Sequence, residues 1–473
     1  MPEYDAIVVG AGPNGLAAAI TMAQAGRSVL VVEGTDTIGG GTKTEELTLP
    51  GFHHDVCSAV HPLALGSPFL RTLPLGEHGL DWAQPRFPFA HAIDREDAVI
   101  VHRDISETAD GLGADGPRYS RALRRLDRLW PKIEDHLLGP VLRIPTHPLA
   151  LARFGLSALP PASASWNWSS VYWWEDCSRA LFAGCAAHSF LPLDRPLTSS
   201  FGWLMLITAH RFGWPVAVGG SAAITRSMAA HLESLGGEIR TGWMVESLDE
   251  LPGATYTLLD LTPTGFGKIA GDRLPPGYLR KVRKYRYGPA AFKLDLAIDG
   301  PIPWTNPDLA GAGTVHIGGS AHEIAAAEKA AWRRQLPERP FILLSQQSVA
   351  DPSRAPSGKH TVWAYAHVPN GSDADLSEHI IDRIEELAPG LRSRILAVHS
   401  LGPPDWPGRN PNYVGGDIAG GAHSLKQFVT RPFPQANPYR TPIEGVFLCS
   451  ASTPPGAGTH GMCGHRAALT ALG

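Results

Sequence analysis

The chain has 473 residues, 43% hydrophobic and 18% charged, which is enough apolar material for a sizeable core and too little charge for a disordered chain. A formal charge of −4 offers no basic footprint for nucleic acid, and no apolar run reaches the roughly 18 residues of a membrane span. Five scattered cysteines (Cys57, Cys177, Cys185, Cys449 and Cys463) contain no Cys-x-x-Cys pair, which argues against a disulfide framework and fits a reducing cytoplasm.

Tyr4–Val9 reads as a short β-strand, and because it starts at residue 4 no leader peptide is expected. Gly10-Ala11-Gly12-Pro13-Asn14-Gly15 follows, then an Ala-rich helix over Leu16–Ala25, a stop at Gly26, and a second strand, Ser28–Val32, closed by Glu33. In this pattern Gly10 permits the tight turn, Gly12 lets a pyrophosphate approach the backbone, and Gly15 lets helix and strand pack closely. The helix N-terminus supplies unpaired N–H groups and partial positive charge to the phosphates. Glu33 is placed to accept hydrogen bonds from a ribose diol and would repel a 2′-phosphate, so NADP is disfavoured. A second glycine-rich segment, Gly39-Gly40-Gly41-Thr42, lies six residues on, where a larger cofactor would pass.

Proline-rich turns then lead into an amphipathic helix over Tyr119–Leu138, with Leu123, Leu126, Trp130, Ile133 and Leu137 at helical spacing. Arg118, Arg121, Arg124, Arg125, Arg128 and Lys132 fall mostly on its other side, either as a solvated face or as a docking face for a membrane surface. Residues 166–174 (WNWSSVYWW), with Trp203 and Trp214 after them, form an aromatic set that serves either core or substrate cavity. Gly219-Gly220, a helix over Ser221–Leu235, Gly236-Gly237 and a strand over Glu238–Val245 look like a return to the nucleotide sheet. Ser247–Pro252 runs straight into a further strand, Thr255–Leu261. Beyond it come a strand within Arg283–Ile298, a helix over Ala321–Gln335 opened by a Ser320/Glu323 capping box, and strands at Phe341–Gln347 and Thr361–Val368. The strand Gly445–Ser450 leads into Gly456-Ala457-Gly458-Thr459-His460-Gly461-Met462 and a final helix to Leu472. That last segment also spells G-x-G-x-x-G but leaves no room for a βαβ unit. It makes better sense as a helix N-terminus delivered to the flavin end of an FAD whose adenine end sits at Gly10–Gly15.

These segments resemble the phytoene-desaturase-like branch of the flavin amine oxidoreductases, and most closely the pyridine nucleotide-disulfide oxidoreductase domain-containing protein 2-like subgroup. The resemblance runs nearly end to end: PGFHHDVCSAVHPL (50–63), GWPVAVGGSAAI (213–224), YGPAAFKLDLAIDGPIPW (287–304), NPNYVGGDIAGG (410–421) and LCSASTPPGAGTHGMCG (448–464). It implies an α/β fold of the glutathione-reductase/amine-oxidase type: a Rossmann-type FAD-binding domain (1–70, 213–262 and 438–473) with an inserted mixed-sheet and helical substrate domain (71–212 and 263–437). It implies FAD held by Gly10, Gly12, Pro13, Asn14, Gly15, Glu33, Gly34, Gly40, Gly41, Thr42 and Ser450, with Val245 at the adenine and Gly461 and Met462 at the flavin. The sequence departs from the wider pattern at Gly41, where an arginine often stands. It also lacks an acid between Gly445 and Gly456 and has few strands after Val245.

Flavin chemistry needs a substrate placed at N5 and a group to manage the proton. Lys293 is the first candidate: Phe292, Leu294, Leu296 and Ile298 alternate with Lys293 and Asp295, so the polar pair faces either solvent or the flavin. The resemblance to the lysine-bearing strand of flavin amine oxidases favours the flavin. His61 and His460 are the other catalytic candidates, and Asn412, Gly416 and Asp417 form a loop that resembles the substrate-proximal loop of desaturases. Cys449, His460, Cys463 and His465 lack metal-finger spacing, so no metal is expected. The expectation is an FAD-dependent dehydrogenase or desaturase acting on a small, apolar substrate, either cytoplasmic or peripheral to a membrane, with no nucleic-acid partner. The alternatives are a flavin amine oxidase using oxygen and a flavin-loaded interaction protein with little turnover. A disulfide reductase is disfavoured, since there is no redox cysteine pair.

Overall fold

The computed structural model describes residues 3–163 and 173–473. Two sheets organise the chain. The first has five parallel strands, β1 (Tyr4–Val9), β2 (Val29–Val32), β5 (Glu238–Arg240), β6 (Ala254–Leu259) and β12 (Val446–Leu448), in the order β12-β6-β1-β2-β5. Strands β1, β2 and β12 are near-continuous hydrophobic runs because both their faces are covered, while the edge strand β5 (Glu-Ile-Arg) is not. Ala6, Val8, Val29, Val31 and Leu258 pack against the helices α1 (Pro13–Gln24), α6 (Ala222–Ser234) and α9 (Met462–Leu472). Ile7, Val9, Leu30, Val32 and Leu448 face the helices Pro263–Ala270 and Pro276–Arg283, which the sequence pattern had not marked.

The second sheet has seven strands: β3 (Phe87–Ala92), β4 (Ala98–Val101), β7 (Ala290–Asp299), β8 (Ala312–Ile317), β9 (Ile342–Ser345), β10 (Lys359–Val368) and β11 (Ile395–Leu401). Their order is β11-β7-β10-β9-β8-β3-β4, antiparallel except where β8 meets β3. One face carries Phe292, Leu294, Leu296, Ile342, Leu344, Val362 and Ala364 and is sealed by the helix Ser377–Leu387 through Ile380, Ile381 and Ile384. The other face carries Lys293, Asp295, Thr314, His316, Leu343, Trp363, Tyr365 and His367, all buried. Helices α2 (Gly116–Leu137), α3 (Pro148–Ala158), α4 (Asp176–Ala187) and α5 (Thr198–Phe212) close over that face. On α2, Leu123, Leu126, Trp130 and Ile133 point into this core, while Arg121, Arg125, Arg128 and Lys132 are exposed. The helix α7 (Ala321–Trp332) starts with the expected capping box, the Ser320 hydroxyl taking the Glu323 N–H and the Glu323 carboxylate taking the Ser320 N–H. Among the described residues, no helix is long and apolar enough to cross a membrane.

Candidate functional site

The site begins where β1 turns into α1. Gly10 has φ +103°, and a Cβ on Gly15 would sit 1.9 Å from the Gly10 carbonyl oxygen, so both positions demand glycine. A Cβ on Gly40 would lie 3.0 Å from the Gly12 Cα, which brings the two glycine-rich segments together. Gly12, Pro13, Asn14, Gly40, Gly41 and Thr42 line one end of a cavity of about 420 Å³. The Thr42 hydroxyl donates to the Gly39 carbonyl at 2.8 Å, and buried Asn14 Oδ1 has no partner. Together with the positive end of α1, this is a cradle for a dinucleotide phosphate.

Glu33 closes β2. Its carboxylate accepts from the Ala11 N–H at 2.8 Å and from the Thr35 hydroxyl at 2.9 Å, and its carbonyl accepts from the Trp243 N–H at 2.9 Å. A Cβ on Gly34 would meet Met244 at 2.6 Å, so Glu33, Gly34 and the 243–245 segment share one corner. Val245 is buried there, outside the cavity wall.

Asp260, immediately after β6, is a functional candidate that the sequence reading missed. It lines the cavity, and its carboxylate accepts from the Gly15 N–H at 3.1 Å. Burial pushes this carboxyl up to about 7, with nearby Glu33 adding to the rise and the Gly15 hydrogen bond opposing it. The available signal was topological, since ligands of parallel sheets bind at the carboxyl ends of the strands.

At the other end of the dinucleotide cradle, Ser450, Ala457, Gly458, Thr459 and His460 form the wall. Gly461 and Met462, expected at the flavin, do not line it: Gly461 (φ +67°) is pressed on Ala17 of α1, and buried Met462 donates its N–H to His460 Nδ1 at 3.0 Å. That bond assigns the imidazole proton to Nε2, and burial holds the ring neutral, down to about 4. Cys463 and His465 are engaged elsewhere, the thiol towards the Thr453 and Gly456 carbonyls and the imidazole with the Thr21 hydroxyl at 2.9 Å.

His61 lies outside the wall. Its Nε2 is 2.7 Å from the Ser221 hydroxyl, within a buried knot in which Asp55 accepts from the Ser221 N–H at 2.7 Å and from Arg354 at 2.8 Å. Lys293 is buried on the cavity-side face of its sheet, ion-paired with Asp295, with His54 and His399 each 3.5 Å from that carboxylate. The outward, solvent-facing placement of this pair is therefore overturned. The ammonium does not reach the cavity wall itself, which Cys57, Trp363 and Tyr365 form nearby.

In the desaturase-like loop Asn412 lines the cavity and clips Asp260 in place, its amide donating to the Asp260 carbonyl at 2.8 Å. Asp417 holds the Gly288 and Ala419 N–H groups at 2.6 and 2.7 Å, and neither it nor Gly416 lines the wall. Tyr413, not singled out from sequence, does line it, and a Cβ on Gly41 would meet its hydroxyl at 2.3 Å. The glycine at position 41 is thus the partner of Tyr413. The far wall is aromatic, built from Phe154, Phe190, Phe201, Trp214, Trp363 and Tyr365. Residues 166–172 of the tryptophan-rich stretch lie outside the described residues; Trp173 and Trp203 belong to the helical core.

Residues 8–68 match the NAD(P)-binding Rossmann-like domain. Over 99% of its length the chain is 26% identical to pyridine nucleotide-disulfide oxidoreductase domain-containing protein 2 of Mus musculus, covering 93% of that protein. It is 27% identical over 97% of its length to a phytoene dehydrogenase of Streptomyces griseus, covering 92% of it. The chain is phytoene-desaturase-like. It is an oxidoreductase. Its fold is shared with an oxidoreductase of Methanosarcina mazei (TM-score 0.65, 17% identity, 98% of this chain and 99% of that one). A putrescine oxidase shares it too (TM-score 0.61, 18% identity, 99% of this chain and 98% of that one).

Proposed function

We propose that this phytoene-desaturase-like protein binds FAD along Gly10–Gly15, Glu33, Gly40–Thr42 and Ser450 and oxidises an apolar molecule held against the aromatic wall. One observation carries the reading: a single cavity runs from the phosphate cradle at Gly12–Asn14 to Trp214, Trp363 and Tyr365. When bound, FAD supplies the acceptor for a hydride. The chain positions the substrate with its aromatic wall and keeps water out. At the flavin end it presents His460 as a neutral imidazole with its proton on Nε2. Lys293 bears on the site through Asp295 and the wall residues in front of it.

The test is anaerobic reduction of purified protein whose FAD content has been measured. About one FAD per chain and bleaching by a lipophilic substrate are expected. Protein carrying FMN or no flavin overturns the cofactor assignment, and stoichiometric hydrogen peroxide in air with an amine substrate turns the assignment to an amine oxidase.

The substrate's lipophilicity has a surface counterpart, and we propose that this surface meets an anionic membrane. Leu142, Ile144, Leu149 and Leu156 are 70%, 90%, 75% and 76% exposed, on the segment that follows α2 and on α3, which packs against it. Arg121, Arg125, Arg128 and Lys132 supply the matching positive charge. Leu137, Leu138 and Phe154, from the same segments, line the cavity.

A further inference from the structure

We propose that the substrate is an electrically neutral, mainly apolar molecule carrying a hydrogen-bond-accepting oxygen that Trp214, Thr314 and Trp363 recognise; this deepens the proposed function and rests on it. Thr314 pairs across the sheet with Ser345, and Ser345 with Trp363, so the three form a row on the cavity side. Trp214 stacks on Phe89 at 4.3 Å, and Phe89 is the cross-strand partner of Thr314. All of Trp214, Thr314 and Trp363 line the cavity, and they are only 3%, 4% and 8% exposed.

Each of the three carries a buried polar atom with no partner, namely the two indole N–H groups and the threonine hydroxyl. Ser345, between two of them, turns its hydroxyl to the Gly313 carbonyl at 3.3 Å and is a partner of neither. Other buried indoles among the described residues do find partners: Trp130 in Glu134, Trp203 in the Ser157 carbonyl, Trp304 in Gln346 and Trp406 in the Ala291 carbonyl. Trp173 is unpartnered too, but it sits in the helical core and not on the cavity. An indole N–H can only donate, so the complement to Trp214 and Trp363 is an acceptor. A buried donor left unmade is costly, and a site built around one therefore discriminates against a ligand that lacks the matching atom.

The charge of the substrate follows from the rest of the wall. Among the described residues the lining holds no lysine or arginine, and its one carboxyl, Asp260, stands at the dinucleotide end beside Gly12. His188, His423 and His460 also line the cavity, and burial keeps all three neutral, at about 3, 3 and 4. A carboxylate or an ammonium on the substrate would enter with no counter-charge, at a desolvation cost that only pairing offsets.

Calorimetric titration of the purified holoprotein with four ligands on one carbon frame tests this: menthane, menthone, menthylamine and menthane carboxylate. Menthone is expected to bind about tenfold or more tightly than the other three, the scale of one well-made buried hydrogen bond. Trp363→Phe, Trp214→Phe and Thr314→Val keep an aromatic or branched side chain at each place and delete the donors; together they are expected to erase the preference for menthone over menthane. Equal affinity of the unsubstituted protein for menthane and menthone, tightest binding of the amine or the carboxylate, or a preference that survives all three substitutions overturns the proposal. Calorimetry needs no flavin signal, so a protein lacking FAD would count against the cofactor assignment while the ligand ranking still decides this one.

Discussion

Asp260 stands where the phosphates of a dinucleotide would meet α1, and its carboxyl titrates at about 7 instead of near 3.8. Between those values the folded apoprotein binds a proton that the unfolded chain has released. Stability therefore falls as pH rises through that window, by up to about 1.4 kcal/mol per pH unit, and levels off above the folded value. Asp260→Asn should flatten this slope in pH-dependent denaturation; an unchanged slope would mean that Asp260 is not the titrating group. A bound diphosphate favours the protonated carboxyl further, so FAD should bind more tightly at about pH 6 than at about pH 8.5, and the Asn variant should lose that difference. Lys293 makes a second case. Lys293→Met would strand Asp295 fully buried without its cation, so chemical denaturation should show a loss of about 3–5 kcal/mol, while a loss under about 1 kcal/mol would mean the pair is not buried in solution. Gly10, Gly15 and Glu33 could be read from sequence because their roles are local to one turn and the strand after it. Asp260 could not: the Gly15 N–H it accepts lies 245 residues away, and only the pairing of β6 beside β1 brings the two together.

Packing between elements decides where the C-terminal residues point. A Cβ on Gly464 would sit 1.7 Å from the Asn14 carbonyl oxygen, so α9 crosses α1 in direct backbone contact. This crossing draws Gly461 and Met462 into the core and leaves Ala457–His460 to form the wall. Gly464→Ala should therefore cost about 3 kcal/mol, the upper end of overpacking, and should weaken FAD retention because Asn14 moves with the contact. Full stability and full flavin content in that variant would contradict the crossing. The apolar runs of β1 and β2, buried on both faces, and the single buried stripe of α2 were legible in the sequence, as was the Ser320/Glu323 capping box of α7. It concealed β3, because Pro88 argues against a central strand. Pro88 is tolerated since pairing with β4 begins one residue later, at Phe89. The strand expected over Glu238–Val245 stops at Arg240 because Gly242 (φ +70°) turns the chain so that Trp243 can bond Glu33.

For the molecule as a whole, the basic face of α2 and the exposed leucines and isoleucine beside it make a surface whose binding can be measured directly. Cosedimentation with phosphatidylserine-containing liposomes should be strong at low salt and fall as salt is added. Ile144→Ser with Leu149→Ser should weaken it without altering the fold, since both side chains are exposed. No sedimentation even at low ionic strength would leave this a solvated face. The five-stranded sheet has a different consequence, one that concerns biosynthesis. Its strands come from residues 4–32, 238–259 and 446–448. During synthesis the β1–α1 turn is made first, Asp260 follows 245 residues after Gly15, and the wall at Ala457–His460 comes well after that. Until then the Gly10–Gly15 turn waits as a half-built nucleotide site with its apolar strands uncovered, the kind of intermediate that chaperones hold. Capture of the FAD proposed above would thus have to wait for Ala457–His460 to be made, and a chain cut short before that wall should hold flavin poorly.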